Sequence, residues 1–172
     1  MLFTTPMNPL TTENDTTSPP TRQNPIEQFS TFYEKMSNGD QAEVRRGRLS
    51  EPFWRALHHI GEAEAPSDRI QQWRVLFQLV AIGGYSRVDF GKALYQANYS
   101  EARLTRLLEA DEQLADILRR TARQLASADQ PANWDAARKL LFYNGDHAER
   151  VRIEIAQQYF GTRFQDNNNS DE

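Results

Sequence analysis

The side chains in this sequence best suited to chemistry are its arginines. The chain has 20 basic residues, and apart from Lys35, Lys92 and Lys139 all are arginine. A guanidinium is planar and permanently charged, grips a phosphate at two points, and stacks on flat groups. Arg45 and Arg46 are adjacent, with Arg48 just beyond Gly47. Arg103 and Arg106 lie about one helical turn apart, as do Arg119 and Arg123, with Arg120 between the latter two. Arg150 and Arg152 form a last group. Each group could line a phosphate backbone, and each has a plainer account. Arg45, Arg46 and Arg48 complement the negative end of a helix dipole. Asp116 stands four residues before Arg120, and Arg150 four before Glu154, so both can form surface ion pairs.

Other chemistries fare worse. Without cysteine there can be no disulfide, zinc-thiolate site, iron–sulfur cluster or thiol nucleophile. The histidines are His58, His59 and His147. Neighbours on a helix point about 100° apart, so His58 and His59 cannot share a metal. Gly83-Gly84 lacks the Lys-Ser/Thr of a phosphate loop, and no Gly-x-Ser-x-Gly or His-Glu-x-x-His occurs. Glu109, Asp111 and Glu112 fall at a helix junction and read as charged surface. The expectation is a non-enzyme with no metal and no cofactor.

The elements that must carry the arginines are helical almost throughout. Ile26, Phe29, Phe32 and Tyr33 form one stripe at helical spacing, predicting a helix over 26–36 that stops at Asn38-Gly39. Asp40 is placed to cap a second helix through 48, and Ser50-Glu51-Pro52 to start a third that ends at Gly61. Pro66-Ser67-Asp68 opens a helix whose body, 70–82, is apolar on most sides and therefore central, ending at Gly83-Gly84. Shorter helices are predicted over 89–97 and, after Ser100, over 101–110. In 111–126, Leu114, Ile117, Leu118, Thr121 and Leu125 share one side, opposite Arg119, Arg120 and Arg123. Asn133 caps 134–143, Asp146 caps the last helix to 160, and Gly161 closes it. No segment alternates with a period of two. The fold class is all-α, a compact multi-helix bundle over residues 26–160.

The 172 residues suffice for one domain. Residues 1–25 are rich in Thr, Asn and Pro and read as a disordered tail, and 161–172 as a disordered acidic one. Net charge is −4, and a pI near 5.5 is not the footprint of a free nucleic-acid binder. Only local clusters could supply one. No apolar run approaches the roughly 20 residues of a membrane span, and residues 1–10 lack the basic start and long apolar stretch of a signal peptide. The expectation is a cytoplasmic protein without membrane contact.

Taken in order, several segments resemble the CasB family, the small subunit of the type I-E CRISPR Cascade complex. Phe32-Tyr33 followed by Asn38-Gly39-Asp40-Gln41-Ala42-Glu43-Val44-Arg45-Arg46 is similar to that family's N-terminal helix pair. Phe90-Gly91-Lys92-Ala93-Leu94 matches its next segment, and Ser100-Glu101-Ala102-Arg103-Leu104 through Leu107-Leu108-Glu109-Ala110-Asp111 the helix after it. Leu118-Arg119-Arg120, then Trp134 with Leu140-Leu141, follow at suitable intervals, so the resemblance spans roughly residues 26–160. It implies a non-catalytic subunit that pairs with a second copy of itself and contacts the repeated backbone subunits and the large subunit. It also implies contact with the phosphates of guide RNA and target DNA, through Arg45 and Arg46 first, then Arg103, Arg119 and Arg120. Asp146 and His147 depart from the family's basic turn, where Arg150 and Arg152 are the available substitutes. The acidic tails are not part of the family pattern. Two other readings stand beside this one: a stand-alone helix-turn-helix regulator with residues 100–108 as recognition helix, and a helical adaptor without nucleic-acid contact.

Overall fold

The computed structural model describes residues 23–170. Every regular element among them is a helix, as the apolar period predicts. In chain order these are α1 (Pro25–Glu34), α2 (Asn38–Arg45), α3 (Glu51–His59), α4 (Ser67–Gly83), α5 (Phe90–Gln96), α6 (Glu101–Glu109), α7 (Leu114–Ser127), α8 (Asp135–Phe142) and α9 (Gly145–Asn169).

α4 is the hub. It packs on α1, α2, α7 and α8, because Trp73, Leu76, Phe77, Leu79 and Val80 bury more than one of its faces. The Phe77 ring lies flat against Phe29 of α1, centroids 3.9 Å apart. Burying each such side chain stabilises the fold by about 1.5–3 kcal/mol. α7 lies on α4 and buries Leu118, Thr121, Ala122 and Leu125.

Two glycines mark close approaches. A Cβ on Gly83 would strike the Trp134 indole, whose Nε1 donates to the Gly84 carbonyl at 2.8 Å. A Cβ on Gly91 would strike the backbone of α9 at Ile155, and the Gly91 amide donates to Gln158 Oε1 at 3.0 Å. This absent side chain lets α5 seat against α9. α8 is braced by Asp135, which meets Arg138 at 2.8 Å and Lys139 at 3.2 Å. Burial pushes the Asp135 carboxyl up, but the hydrogen bonds and charges of these two bases hold it below the usual carboxylate value.

Several boundaries differ from those expected. Asp40 does not cap α2; Ser37 does, its Oγ accepting from the Asp40 amide at 3.2 Å, so Asn38-Gly39 sits inside the first turn. Residues 111–113 form a turn and α7 starts at Leu114. α9 starts at Gly145 after Asn144, ahead of Asp146. The largest correction concerns Gly161, which does not close α9: the helix runs on to Asn169, into the stretch read as a disordered tail. Glycine inside a helix costs about 1 kcal/mol, and one tertiary ion pair and one contact within the helix act against that cost. Arg163 pairs with Glu101 of α6 at 3.2 Å, and Phe164 stacks on Phe160 at 6.3 Å. At the other end, Asn24 Oδ1 accepts from the Ile26 amide at 3.0 Å and caps α1, which starts at Pro25, inside the stretch read as a tail. The remainder of the N-terminal expectation, residues 1–22, and residues 171–172 lie outside the described residues.

Candidate nucleic-acid interface

The interface is built on α7. At about 100° per residue, Arg119, Arg123 and Arg120 spread over roughly a third of its circumference, opposite the buried Leu118, Ala122 and Leu125 stripe. Arg120 and Arg123 are exposed and, among the described residues, lie within ion-pair reach of no carboxylate. The expected pairing of Asp116 with Arg120 does not form. Asp116 instead meets Arg119 at 2.8 Å, because Arg119 is turned towards α4, where its Nε donates to Gln78 Oε1 at 2.8 Å.

Gln78 joins two of the arginine groups. Its Nε2 donates to the Arg45 carbonyl at 2.9 Å, so one amide bridges the end of α2 to Arg119 on α7. The α2 corner is held sharply. Gly47 has φ +67°, a left-handed conformation natural to glycine, and Gln78 packs 3.1 Å from where a Cβ would stand. Arg74 donates to the Gly47 carbonyl from below. The corner displays Arg45 and Arg46 outward. Arg45 Nη1 donates to the Tyr33 hydroxyl at 2.9 Å, an uncharged partner that leaves its charge uncompensated. Arg46 and Arg48 share Glu43, at 3.8 and 3.5 Å. Exposed pairs of that length contribute little, so both guanidiniums remain open to a stronger anion.

On the other side of α7 a groove opens against α6. Arg103, Arg106 and Arg120 line it together with Tyr99, Ile117, Thr121, Gln124 and Ser127, around a volume of about 530 Å³. No carboxylate lines it. Its floor is tied by hydrogen bonds: Tyr159 Oη donates to the Tyr99 carbonyl at 2.5 Å, Tyr99 Oη meets Thr121 Oγ1 at 2.9 Å, and Thr121 donates to the Ile117 carbonyl at 2.8 Å. Burial pushes the Tyr99 hydroxyl above its ordinary pKa, although Thr121 and the nearby Arg103 charge act the other way. The phenol therefore stays neutral, and the groove keeps the full charge of its three arginines. Arg103 is steadied by Gln124, a neutral acceptor.

Seven of the nine candidate arginines thus fall on the α2 corner, α7 and α6. Arg150 and Arg152 do not join them. Arg152 faces a separate trough and meets Glu149 at 3.4 Å. The expected Arg150–Glu154 pair is absent; Glu154 accepts from Gln158 at 3.4 Å. Gln78 and Gln124 are not among the residues that the sequence singles out. Gln78 carries a signal all the same: it is the one polar residue in the run from Val75 to Ile82.

A sequence model of the family described as CRISPR-associated protein Cse2 matches residues 40–160. The fold is similar to the crystal structure of M. ruber CasB, with a TM-score of 0.67 over 86% of this chain and 98% of that one, at 20% identity. No curated protein matches the chain.

Proposed function

The chain belongs to the CRISPR-associated Cse2 family, also called CasB, of type I-E Cascade subunits, and from that premise we propose that it is a non-catalytic small subunit holding guide RNA and target DNA by their phosphates. The groove between α6 and α7 carries this reading, because Arg103, Arg106 and Arg120 converge there with no carboxylate among its lining residues. Arg123 and Arg119 continue the arc across α7 to Arg45 and Arg46. Arginines fixed on helices and steadied by glutamines suit backbone contact and offer no code for reading base edges. In an RNA-guided complex, sequence is read by base pairing, and protein need only recognise backbone and shape. Few phosphates are neutralised by one small subunit, so the isolated chain binds nucleic acid weakly and without sequence preference, and the R-loop is held jointly with the backbone and large subunits and a second copy of the chain.

The test is Arg103→Glu, Arg106→Glu and Arg120→Glu together, assembled into the whole complex. Retention of target DNA is expected to fall at least tenfold with assembly intact. The salt dependence of log affinity should flatten by about 0.7–0.9 for each phosphate that is no longer neutralised. Wild-type retention and slope in a fully assembled variant complex would end the proposal. Tight, sequence-specific duplex binding by the isolated chain would point to a regulator instead.

A further inference from the structure

A second concavity is the trough faced by Arg152. It runs between the α6–α7 turn and the α8–α9 pair, with a volume of about 940 Å³. Its floor is apolar, made by Leu108, Leu114, Leu140, Leu141 and Ile153. Two of its apolar side chains are left uncovered: Ile153 is 51% exposed and Tyr143 39%. The apolar surface continues along α9, where Phe160 and Phe164 follow Ile153 at helical spacing and Phe164 is 60% exposed. The rim is acidic. Glu109, Asp111, Glu112 and Glu149 line it against the single base Arg152. Of these four carboxylates only Glu149 has an ion-pair partner among the described residues; Glu109, Asp111 and Glu112 make no pair and share a shallow hollow with Arg106, leaving the rim net negative.

Uncovered apolar surface inside a negative rim calls for an apolar occupant with positive flanks. A phosphate backbone is repelled by these carboxylates, and a small molecule would lie half in water in so open a trough. We propose that this trough docks a protein segment of a neighbouring subunit in the same complex, one presenting aliphatic or aromatic side chains flanked by lysine or arginine. The inference rests on the reading of the chain as a Cascade subunit and divides its surface in two: guanidiniums for nucleic acid on the α2 corner, α6 and α7, carboxylates and apolar side chains for protein on the α6–α7 turn, α8 and α9. An occupant held by both means lets go when either is removed, since desolvated ion pairs at an apolar contact depend on both partners.

The experiment uses the assembled complex and two variants. First, a photo-cross-linking benzoylphenylalanine replaces the exposed Ile153, and the joined peptide is mapped by mass spectrometry. The expected product lies in a different protein subunit, in a peptide bearing Lys or Arg close to apolar residues. A product with a second copy of this chain, a product with RNA or DNA, or no product overturns the proposal. Second, Glu109→Lys with Glu112→Lys should reduce incorporation of the chain into the complex at least tenfold while leaving the melting temperature of the isolated chain unchanged. The Arg103→Glu, Arg106→Glu, Arg120→Glu variant should incorporate normally, which separates the two surfaces. Wild-type incorporation of the lysine variant overturns the trough and leaves the nucleic-acid reading standing. A wild-type chain that never enters the complex overturns both.

Discussion

The α6–α7 groove and the α6–α9 trough share a helix and have opposite characters. α6 presents Arg103 and Arg106 to the groove, and Leu108 and Glu109 to the trough. The groove holds three guanidiniums, no lining carboxylate and a hydrogen-bonded floor; the trough holds four carboxylates, one guanidinium and an apolar floor. A short stretch of chain suffices for the switch: Arg106 and Arg120 bound a turn occupied by Glu109, Asp111 and Glu112. A net charge of −4 therefore says little about what the surface binds, because charge acts over roughly 8–10 Å at physiological salt and the two sets line different hollows, meeting only where Arg106 borders the acidic turn.

The contrast can be attacked from the trough wall. Gly91→Val puts a branched side chain into the backbone of Ile155 and the Cβ of Gln158, prising α5 from α9. The expected destabilisation is about 3 kcal/mol in urea unfolding, at the upper end for overpacking. It should weaken incorporation into the complex more than nucleic-acid retention per incorporated subunit. A result within about 1 kcal/mol of wild type would mean that α9 can shift, and that the trough is less fixed than the groove.

The groove floor responds more mildly. Tyr99→Phe deletes the hydroxyl that meets Thr121, and Thr121 keeps its bond to the Ile117 carbonyl. Stability should fall by about 1 kcal/mol, read as a lower urea midpoint at unchanged slope. DNA retention should fall a few-fold as the groove lined by Arg103 and Arg120 loses this tie in its floor, while incorporation through the trough stays as in wild type. Equal losses at both surfaces would show that the floor braces the whole bundle.

The smallest effect is expected at Asp116→Ala. Its pair with Arg119 is surface-exposed on the acid side and contributes a few tenths of a kcal/mol at most. Removing the carboxylate that pairs with Arg119 should raise affinity for single-stranded DNA at low salt about two-fold and steepen the salt dependence, with no change in incorporation. A fall in affinity would mean that Asp116 orients Arg119 for its contact.

Much of this is legible in residue order. The stripe of Leu114, Leu118, Thr121 and Leu125, the cap at Ser100, the wide apolar face of α4 and the turn at Gly61 follow from local periodicity and backbone preference, whereas the second helix, expected through 48, ends at Arg45 because Gly47 turns left-handed. So does the placing of Arg120 and Arg123 away from the core, since a helix fixes which residues share a face. The order of segments also carries the family resemblance.

What local rules do not reach is which distant segments meet. Whether Asp116 takes Arg119 or Arg120 depends on Gln78, 41 residues from Arg119 and 33 from Arg45. Past Gly161, α9 reaches Glu101 through Arg163, 62 residues away in the chain, a contact no local rule anticipates. Helical period sets directions around one axis; only the packing of α6 against α7 on one side and near α9 on the other turns scattered charges into two surfaces of opposite sign. Those contacts arise from the burial of Phe77, Trp134 and Ile155 in a shared core, and hydrophobic burial is non-directional, so a single helix cannot specify its neighbour.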